Sequence, residues 1–243
     1  MNIFSRIRER IGAVIAAVIG SIALLGCGLL FALVLAPQQK LEARRIEAMP
    51  VMDTGTVTAA AAGDDILITG RLEDNSVVDE IGFVAYKLEE WVVTLPDSDD
   101  DDDDPDGSWE TIERVLPDLS LNVDGEVVLI LSVNGVQLSG PLHEELIYSE
   151  SYAEAEYDNE WIPDGSWRYS GFYNGDLTTV LGKKASAGGV IPDELYAGDR
   201  VAFVESQHAE AKGMLIAGII MLACSPVVLV GGGLAAIFGR RRR

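Results

Sequence analysis

The chain has 243 residues and carries 39 Asp and Glu against 18 Lys and Arg, a formal net charge of −21 at pH 7. Nucleic acid requires a basic surface, so this charge argues against a nucleic-acid partner. The two cysteines, Cys27 and Cys224, lie in apolar runs, which argues against a disulfide framework or a thiolate metal site in the remaining residues.

Most of the negative charge lies in residues 37–213, which hold 38 Asp and Glu and 11 Lys and Arg. Lysine is scarce, with five in the whole chain. Such a surface repels itself at low ionic strength and needs salt to screen it. The composition therefore predicts a halophilic archaeon as the source.

Two uncharged apolar runs, residues 11–36 and 214–238, predict two transmembrane helices. At about 1.5 Å of rise per residue, each run exceeds the roughly 30 Å hydrocarbon core of a bilayer. Two alternatives stay open for the first run. One is a cleaved signal peptide, whose apolar region is usually about 7–15 residues long, and the other is lipidation at Cys27.

Arginines mark the outer flanks of both runs. Three arginines lie in residues 1–10, and the sequence GRRRR forms residues 239–243. Positively charged flanks stay in the cytoplasm. We therefore expect a multi-pass protein of the cell membrane with two spans, both termini cytoplasmic and the central domain extracellular. The basic tail is expected to anchor this topology and to contact lipid headgroups.

The residues between the runs predict a mostly antiparallel β domain, so the expected fold class is a membrane protein with an all-β to α+β extramembrane domain. Residues 37–50 are expected to form a helical stalk, residues 51–205 the β domain, and residues 206–213 a juxtamembrane helix. Short β-prone runs alternate with turn residues, and Asp124-Gly125 is the strongest hairpin signal. We expect strands at DILITGRL, GFVAYKLEEWVVTL, SWETIERVL, LSLNVDGEVVLILSV, RYSGFY, DLTTVLGKKA and DRVAFVES.

One pentapeptide, Pro-Asp-Gly-Ser-Trp, occurs at both 105–109 and 163–167. Proline presets one turn dihedral and glycine tolerates the next, so each copy predicts a turn that closes an acidic loop and opens a strand.

The acidic loop at residues 97–107 overlaps a match to a calcium-binding loop. Asp102, Asp104 and Asp106 fall at positions 1, 3 and 5 of that motif, Gly107 at position 6 and Glu113 at position 12. Six consecutive aspartates satisfy the first positions almost automatically, and the flanks are β-prone rather than helical. We therefore expect a solvated hairpin tip, with calcium as the alternative.

Catalytic and cofactor-binding signatures are missing from the sequence. The two histidines, His143 and His208, lie far apart in sequence and have no paired Cys or His for a metal site. No Gly-x-Ser-x-Gly elbow and no phosphate-binding loop occur. We therefore expect no catalytic residue and no bound cofactor.

Four segments of the central domain resemble the GIDE or "beside a membrane" domain. They are GFVAYKLEEWVV (82–93), SWETIERVLPDLSLNVDGEVVLI (108–130), SWRYSGFYNGDLTTVLGKKA (166–185) and PDELYAGDRVAFVES (192–206). This domain belongs to a mitochondrial membrane-anchored ubiquitin ligase and to prokaryotic relatives. The resemblance implies a domain between two membrane helices with both ends cytosolic, in which the outer domain serves substrate recognition or assembly.

The sequence departs from the ligase at the chemical centre. In the ligase, a zinc-binding RING finger follows the second helix, whereas here residues 239–243 contain no Cys or His. Ubiquitin-protein transferase activity is therefore implied only by resemblance, and no zinc ligand has a counterpart in this sequence.

Three functional hypotheses follow. The first is a non-enzymatic membrane-anchored protein whose outer domain binds a partner protein or organises an assembly, including a homo-oligomer. The second is a component of a ubiquitin-like ligase pathway that works through a separate RING protein. The third is a cation-binding outer module that uses the loop at residues 97–113.

Overall fold

The computed structural model describes the backbone of residues 3–95 and 105–238, with side chains from Gly12 to Gly231 inside those ranges except Ala13. The chain divides into a helical unit, formed by residues up to Ala48 and from Val204, and a β unit from Met49 to Phe203. The helices in the described residues are α1 (Ile3–Leu30), α2 (Ala36–Ala48), α3 (Thr54–Ala59) and α4 (Arg200–Phe238).

The first helix of the helical unit is continuous, because a π-helical turn, Phe31–Leu35, joins α1 to α2. In this turn the Ala36 N–H donates to the Phe31 carbonyl oxygen, five residues back. Pro37 follows directly and has no N–H, so one ordinary helical hydrogen bond is missing at this point. The wider turn lies where the regular ladder is interrupted.

Both long helices are apolar and largely uncovered. Their most apolar windows have mean hydropathies of 2.6 and 2.5, and 11% of each window is buried. Ile19 is 63% exposed and Leu33 68% exposed. Each helix is therefore long and apolar enough to cross a membrane by length and composition.

Small residues let the two long helices approach each other closely. A Cβ atom on Gly28 would lie 2.8 Å from the Leu222 side chain, and one on Gly218 would lie 2.8 Å from the Ala32 backbone nitrogen. The Ser21 hydroxyl donates to the Ser225 carbonyl at 2.9 Å, and the Ser225 hydroxyl donates to the Ser21 carbonyl at 2.9 Å. Glycine contacts and reciprocal serine hydrogen bonds are typical of helix pairs in membranes.

The strands of the β unit have the following bounds: β1 (Asp65–Leu72), β2 (Ala85–Thr94), β3 (Asp106–Val115), β4 (Leu119–Val123), β5 (Glu126–Ile130), β6 (Gln137–Ser139), β7 (His143–Ile147), β8 (Glu154–Tyr157), β9 (Glu160–Pro163), β10 (Trp167–Phe172), β11 (Leu177–Lys184) and β12 (Val190–Ala197). They form a six-stranded sheet, a four-stranded sheet and a two-stranded hairpin.

Five strands of the larger sheet close into a barrel. Their order is β11-β1-β4-β5-β12, and pairing of β11 with β12 completes the ring. Neighbouring strands are antiparallel except β5 and β12, which meet in parallel at Ile130 and Val190. Renumbered along the chain, this is the 1-2-3-5-4-1 order of the five-stranded Greek-key barrel of OB-folds.

Apolar side chains at alternate positions of the strands point inward and fill the barrel. Ile66 and Ile68 on β1 and Leu119 and Leu121 on β4 are at most 1% exposed and belong to one core cluster. Val57 of α3 joins the same cluster. The short helix α3 is capped by a side chain that precedes it, because the Asp53 carboxylate accepts the Thr56 N–H.

The second sheet has the order β3-β2-β10-β7 and is antiparallel throughout. Its strands come from two insertions into the barrel. Strands β2 and β3 lie between β1 and β4 in the chain, and β6 to β10 lie between β5 and β11. The hairpin β8–β9 packs against this sheet, with Ala155 and Ile162 buried in a cluster with Trp91.

The expected strand at DRVAFVES is wrong, because α4 begins there at Arg200. The Asp199 carboxylate accepts the Ala202 N–H at 2.8 Å, which satisfies one of the free donors of the first helical turn. This capping outweighs the β preference of Val201 and Phe203.

The repeated pentapeptide adopts two conformations. In the second copy Gly165 has a φ of +77° and lies between β9 and β10, as the turn prediction requires. The turn prediction is wrong for the first copy, because Asp106 to Trp109 lie within β3. Gly107 packs against an indole there, and a Cβ on it would overlap the Trp91 ring.

Candidate binding cleft of the β domain

A cleft of about 300 Å³ opens between the four-stranded sheet and the hairpin β8–β9. We call it the aromatic cleft. It is lined by Trp109, Glu144, Leu146, Tyr157, Asp158, Glu160, Ile162 and Arg168. Every lining residue belongs to the β unit.

The hairpin β8–β9 contributes part of the cleft lining, because its strand pairing directs the lining side chains to one face. Ala155 pairs with Ile162, and Tyr157 pairs with Glu160 two residues further along. Side chains two residues apart share a face, so the anchored Ala155 and Ile162 direct Tyr157 and Glu160 to the same side. Asp158 forms the hairpin tip with Asn159, and both residues have positive φ, as a two-residue type I′ turn requires.

A buried ion-paired cluster includes Arg168 of the cleft lining. Glu89 of β2 is 7% exposed, and one of its carboxylate oxygens accepts hydrogen bonds from Arg168 Nε at 3.1 Å and Nη2 at 2.7 Å. Its other oxygen lies 2.9 Å from Lys87 Nζ. Burial by itself raises the pKa of Glu89, but the hydrogen bonds and charges of Lys87 and Arg168 outweigh it and hold that pKa below its usual value.

Aromatic rings surround the arginine of this cluster. The Arg168 guanidinium lies 4.4 Å from the centroid of the Trp109 ring and 5.6 Å from that of Tyr157. Its Nη1 donates to the Tyr157 hydroxyl at 3.1 Å. Trp91 lies below, with its ring centroid 5.0 Å from that of Trp109. Cation–π contact and a carboxylate partner together fix the guanidinium in one position.

Two indole donors of this cluster have no partner. The Nε1 atoms of Trp91 and Trp109 are buried and reach no acceptor in the part of the chain that the structure describes. A buried N–H without a partner costs free energy, so such a group is a candidate donor to water or ligand. Trp109 lines the cleft, so its N–H is a candidate donor to an occupant of the cleft.

The rim of the cleft is acidic. Glu144, Asp158 and Glu160 line it, and none of them forms an ion pair with a Lys or Arg among the described residues. The one cation in the lining, Arg168, already faces Glu89. Glu160 is positioned by the Tyr148 hydroxyl, which donates to it at 2.6 Å, and this hydrogen bond raises the pKa of Tyr148. The cleft therefore favours a cationic group with an apolar stem.

Exposed aromatic side chains are concentrated near the cleft in sequence. Tyr148 is 49% exposed, Tyr152 is fully exposed, and Trp161 and Trp167 are 47% and 43% exposed. Tyr and Trp are enriched in protein–protein interfaces, where their large surface and polar end both contribute.

The candidate calcium ligands do not converge in the described residues. Asp102 and Asp104 lie outside the part of the chain that the structure describes. Asp106 and Glu113 lie on the extended strand β3, seven positions apart, which at about 3.3 Å per residue separates them by roughly 20 Å. One ion cannot bind both, so positions 5 and 12 of a calcium loop are not formed by this pair.

Neither histidine belongs to a catalytic arrangement within the described residues. His143 Nε2 lies 3.2 Å from Asp176, and His208 Nε2 lies 3.2 Å from Glu47 in the helical unit. The described residues contain no group of three or more His, Cys, Asp or Glu side chains that could hold a metal ion.

No protein-family model matches this sequence, and no curated protein or solved structure gives a significant match. The resemblance to the GIDE domain therefore stays an expectation from the sequence.

Proposed function

We propose that this chain is a two-span protein of the cell membrane whose extracellular β domain binds a partner protein. The two apolar helices support the membrane location, since 11% of each apolar window is buried and the rest needs another apolar environment. The arginines in residues 1–10 and 239–243 support cytoplasmic termini.

The aromatic cleft is the observation that carries the binding role. Its centre is preorganised, because Arg168 is held by Glu89, Trp109 and Tyr157 at once. A rigid centre reduces the entropy lost on binding. Its acidic rim, with the exposed Tyr148 in contact with Glu160, favours a partner segment that presents Lys or Arg.

The binding role predicts a specific crosslink. A photo-reactive phenylalanine analogue at Tyr148, which is 49% exposed and contacts the rim at Glu160, should give a discrete protein adduct in native membranes. The same analogue at Val127, exposed on barrel strand β5, should not. Neutralising the rim with Glu144→Gln, Asp158→Asn and Glu160→Gln should weaken the Tyr148 adduct. An adduct of equal yield with the neutral rim would contradict the role of the cleft.

The identity of the crosslinked protein separates the hypotheses. A RING or ubiquitin-like protein would support the pathway implied by the GIDE resemblance, and a second copy of this chain would support a homo-oligomeric assembly. Other extracellular proteins with a basic segment would support the general binding role.

The proposed topology is tested by cysteine labelling. In a chain with Cys27→Ala and Cys224→Ala, a cysteine at the fully exposed Tyr152 should react with a membrane-impermeant thiol reagent in intact cells. A cysteine in residues 239–243 should react only after lysis. The reverse pattern would overturn the orientation.

A further inference from the structure

A second cavity, of about 370 Å³, lies between the two long helices of the helical unit. We call it the dilysine pocket. The first helix contributes Ala32, Ala36, Pro37 and Lys40, and α4 contributes His208, Ala211, Lys212 and Leu215. The apolar half of the lining reaches into the runs that cross the proposed membrane through Ala32, Ala36 and Leu215. The polar half, formed by Lys40, His208 and Lys212, lies just beyond those runs.

The polar half holds positive charge that the protein does not neutralise. Lys40 and Lys212 are two of the five lysines in the chain, and neither forms an ion pair or side-chain hydrogen bond with a described residue. The imidazole of His208, by contrast, faces Glu47 at 3.2 Å. Two unpaired ammonium groups in one pocket are notable in a chain of net charge −21, where carboxylates outnumber cations by about two to one.

The apolar half of the lining indicates which kind of anion fits the pocket. Ala36 is 5% exposed and forms part of the wall together with Ala32 and Leu215. Such a wall offers nothing to a small hydrated anion, but it suits the glycerol and first methylenes of an acyl chain. The strongly negative net charge also repels soluble anions at long range, whereas a lipid is already held at this depth by the bilayer.

We propose that the dilysine pocket binds the phosphate headgroup of an anionic glycerophospholipid, with Lys40 and Lys212 as its cationic contacts. Lysines near a membrane surface extend their ammonium groups to the headgroup level while their stems stay on apolar surface. The site rests on the proposed membrane location. It fixes the depth of the two helices in the bilayer on the side of the β domain.

The test uses the full chain purified in a neutral maltoside detergent and counts bound lipids by native mass spectrometry. The probes are dioctanoyl phosphatidylglycerol, dioctanoyl phosphatidylcholine and inorganic phosphate. We expect one saturable phosphatidylglycerol per chain, much weaker phosphatidylcholine binding, and no competition by inorganic phosphate at the same concentration.

The variant Lys40→Gln/Lys212→Gln should lower the phosphatidylglycerol affinity about 30-fold, or about 5-fold for each lysine, which corresponds to about 1 kcal/mol per lysine near the surface. The matched control is Lys183→Gln/Lys184→Gln, which removes the same charge from barrel strand β11 and should leave the affinity unchanged. Unaltered melting of tryptophan fluorescence would show that both variants keep the β domain folded.

Equal binding of the two lipids by the unmodified chain, or equal affinity of the two double variants, would overturn the proposal. Full competition by inorganic phosphate would also overturn it and indicate a free-anion site. The membrane location is tested separately, by resistance to alkaline extraction from phosphatidylcholine vesicles. Extraction of the chain from these vesicles by alkali would contradict the proposed function. It would not affect the lipid measurement, which is made in detergent.

Discussion

Replacing Glu89 with Gln tests whether the buried ion pair organises the β domain. The carboxylate is 7% exposed and receives hydrogen bonds from Arg168 at 2.7 and 3.1 Å and lies 2.9 Å from Lys87. Glutamine keeps the volume but removes the charge, and its amide NH₂ would face the donors of two cations. The variant therefore leaves two partly buried cations without a counter-charge.

The size of the expected destabilisation follows from how deeply Arg168 and Lys87 are buried. Breaking a buried ion pair costs about 3–5 kcal/mol, and the lower end applies here because the Arg168 and Lys87 side chains are 16% and 23% exposed to water. We therefore expect a loss of about 3 kcal/mol, or about 6–12 °C in the Tm of a domain of this size. Glu90→Gln makes the same chemical change one residue along β2, outside any ion pair among the described residues, and should shift the Tm by about 2 °C or less.

Tryptophan fluorescence in the full chain measures this loss directly, since the four tryptophans, Trp91, Trp109, Trp161 and Trp167, all lie in the β unit. The pH dependence gives a second check. The pKa of Glu89 is lowered in the folded state, so its stabilisation is present above the ordinary value of 4.5 and is lost as the pH falls through the folded pKa. The difference between the native chain and Glu89→Gln should therefore shrink as the pH falls below 4.5. Equal Tm values for Glu89→Gln and Glu90→Gln at pH 7 would refute the reasoning.

Two further predictions concern the acidic loop and the helix pair. Calcium should stabilise the β domain no more than sodium at equal ionic strength. Glu113→Gln should change neither response, because β3 separates Glu113 from Asp106. A large calcium-specific rise in Tm that Glu113→Gln abolishes would contradict this prediction. Gly218→Ile should reduce disulfide formation between Ser21→Cys and Ser225→Cys in a chain without its native cysteines, because a Cβ at Gly218 meets the Ala32 backbone at 2.8 Å. A Cβ at Gly213 meets no atom within 4 Å, so Gly213→Ile should leave the crosslink intact. Equal yields for the two variants would argue against close packing at Gly218.

The β character of the central domain was predictable because local sequence patterns indicate it. Runs such as DILITGRL concentrate β-branched and other apolar residues, and β1 occupies the same residues, 65–72. The closure of the barrel was not predictable in this way. Strand β1 pairs with β11, and the Thr69 and Thr179 hydroxyls that meet across this pair are 110 residues apart in sequence. Nothing in a local window specifies a partner at that distance.

The candidate site was missed for the same reason. Glu89, Trp109 and Arg168 come from three strands, and each resembles an ordinary strand residue when its segment is considered alone. One signal was present in the sequence, since Asp158-Asn159 between short alternating segments is compatible with a two-residue hairpin turn. This signal would have indicated the hairpin β8–β9, but not the contact between Arg168 and Glu89 in the neighbouring sheet.

The distribution of charge in the β domain separates a structural role from a binding role. Lys87 and Arg168 both contact Glu89, while Glu144, Asp158 and Glu160 around them have no cationic partner among the described residues. If the acidic composition served salt tolerance alone, a scarce cation would reduce repulsion most where carboxylates cluster at the surface. Instead two cations neutralise one buried carboxylate and fix the aromatic wall, and the rim stays negative. A rigid interior beneath an uncompensated rim is the arrangement that a cationic partner segment would complete.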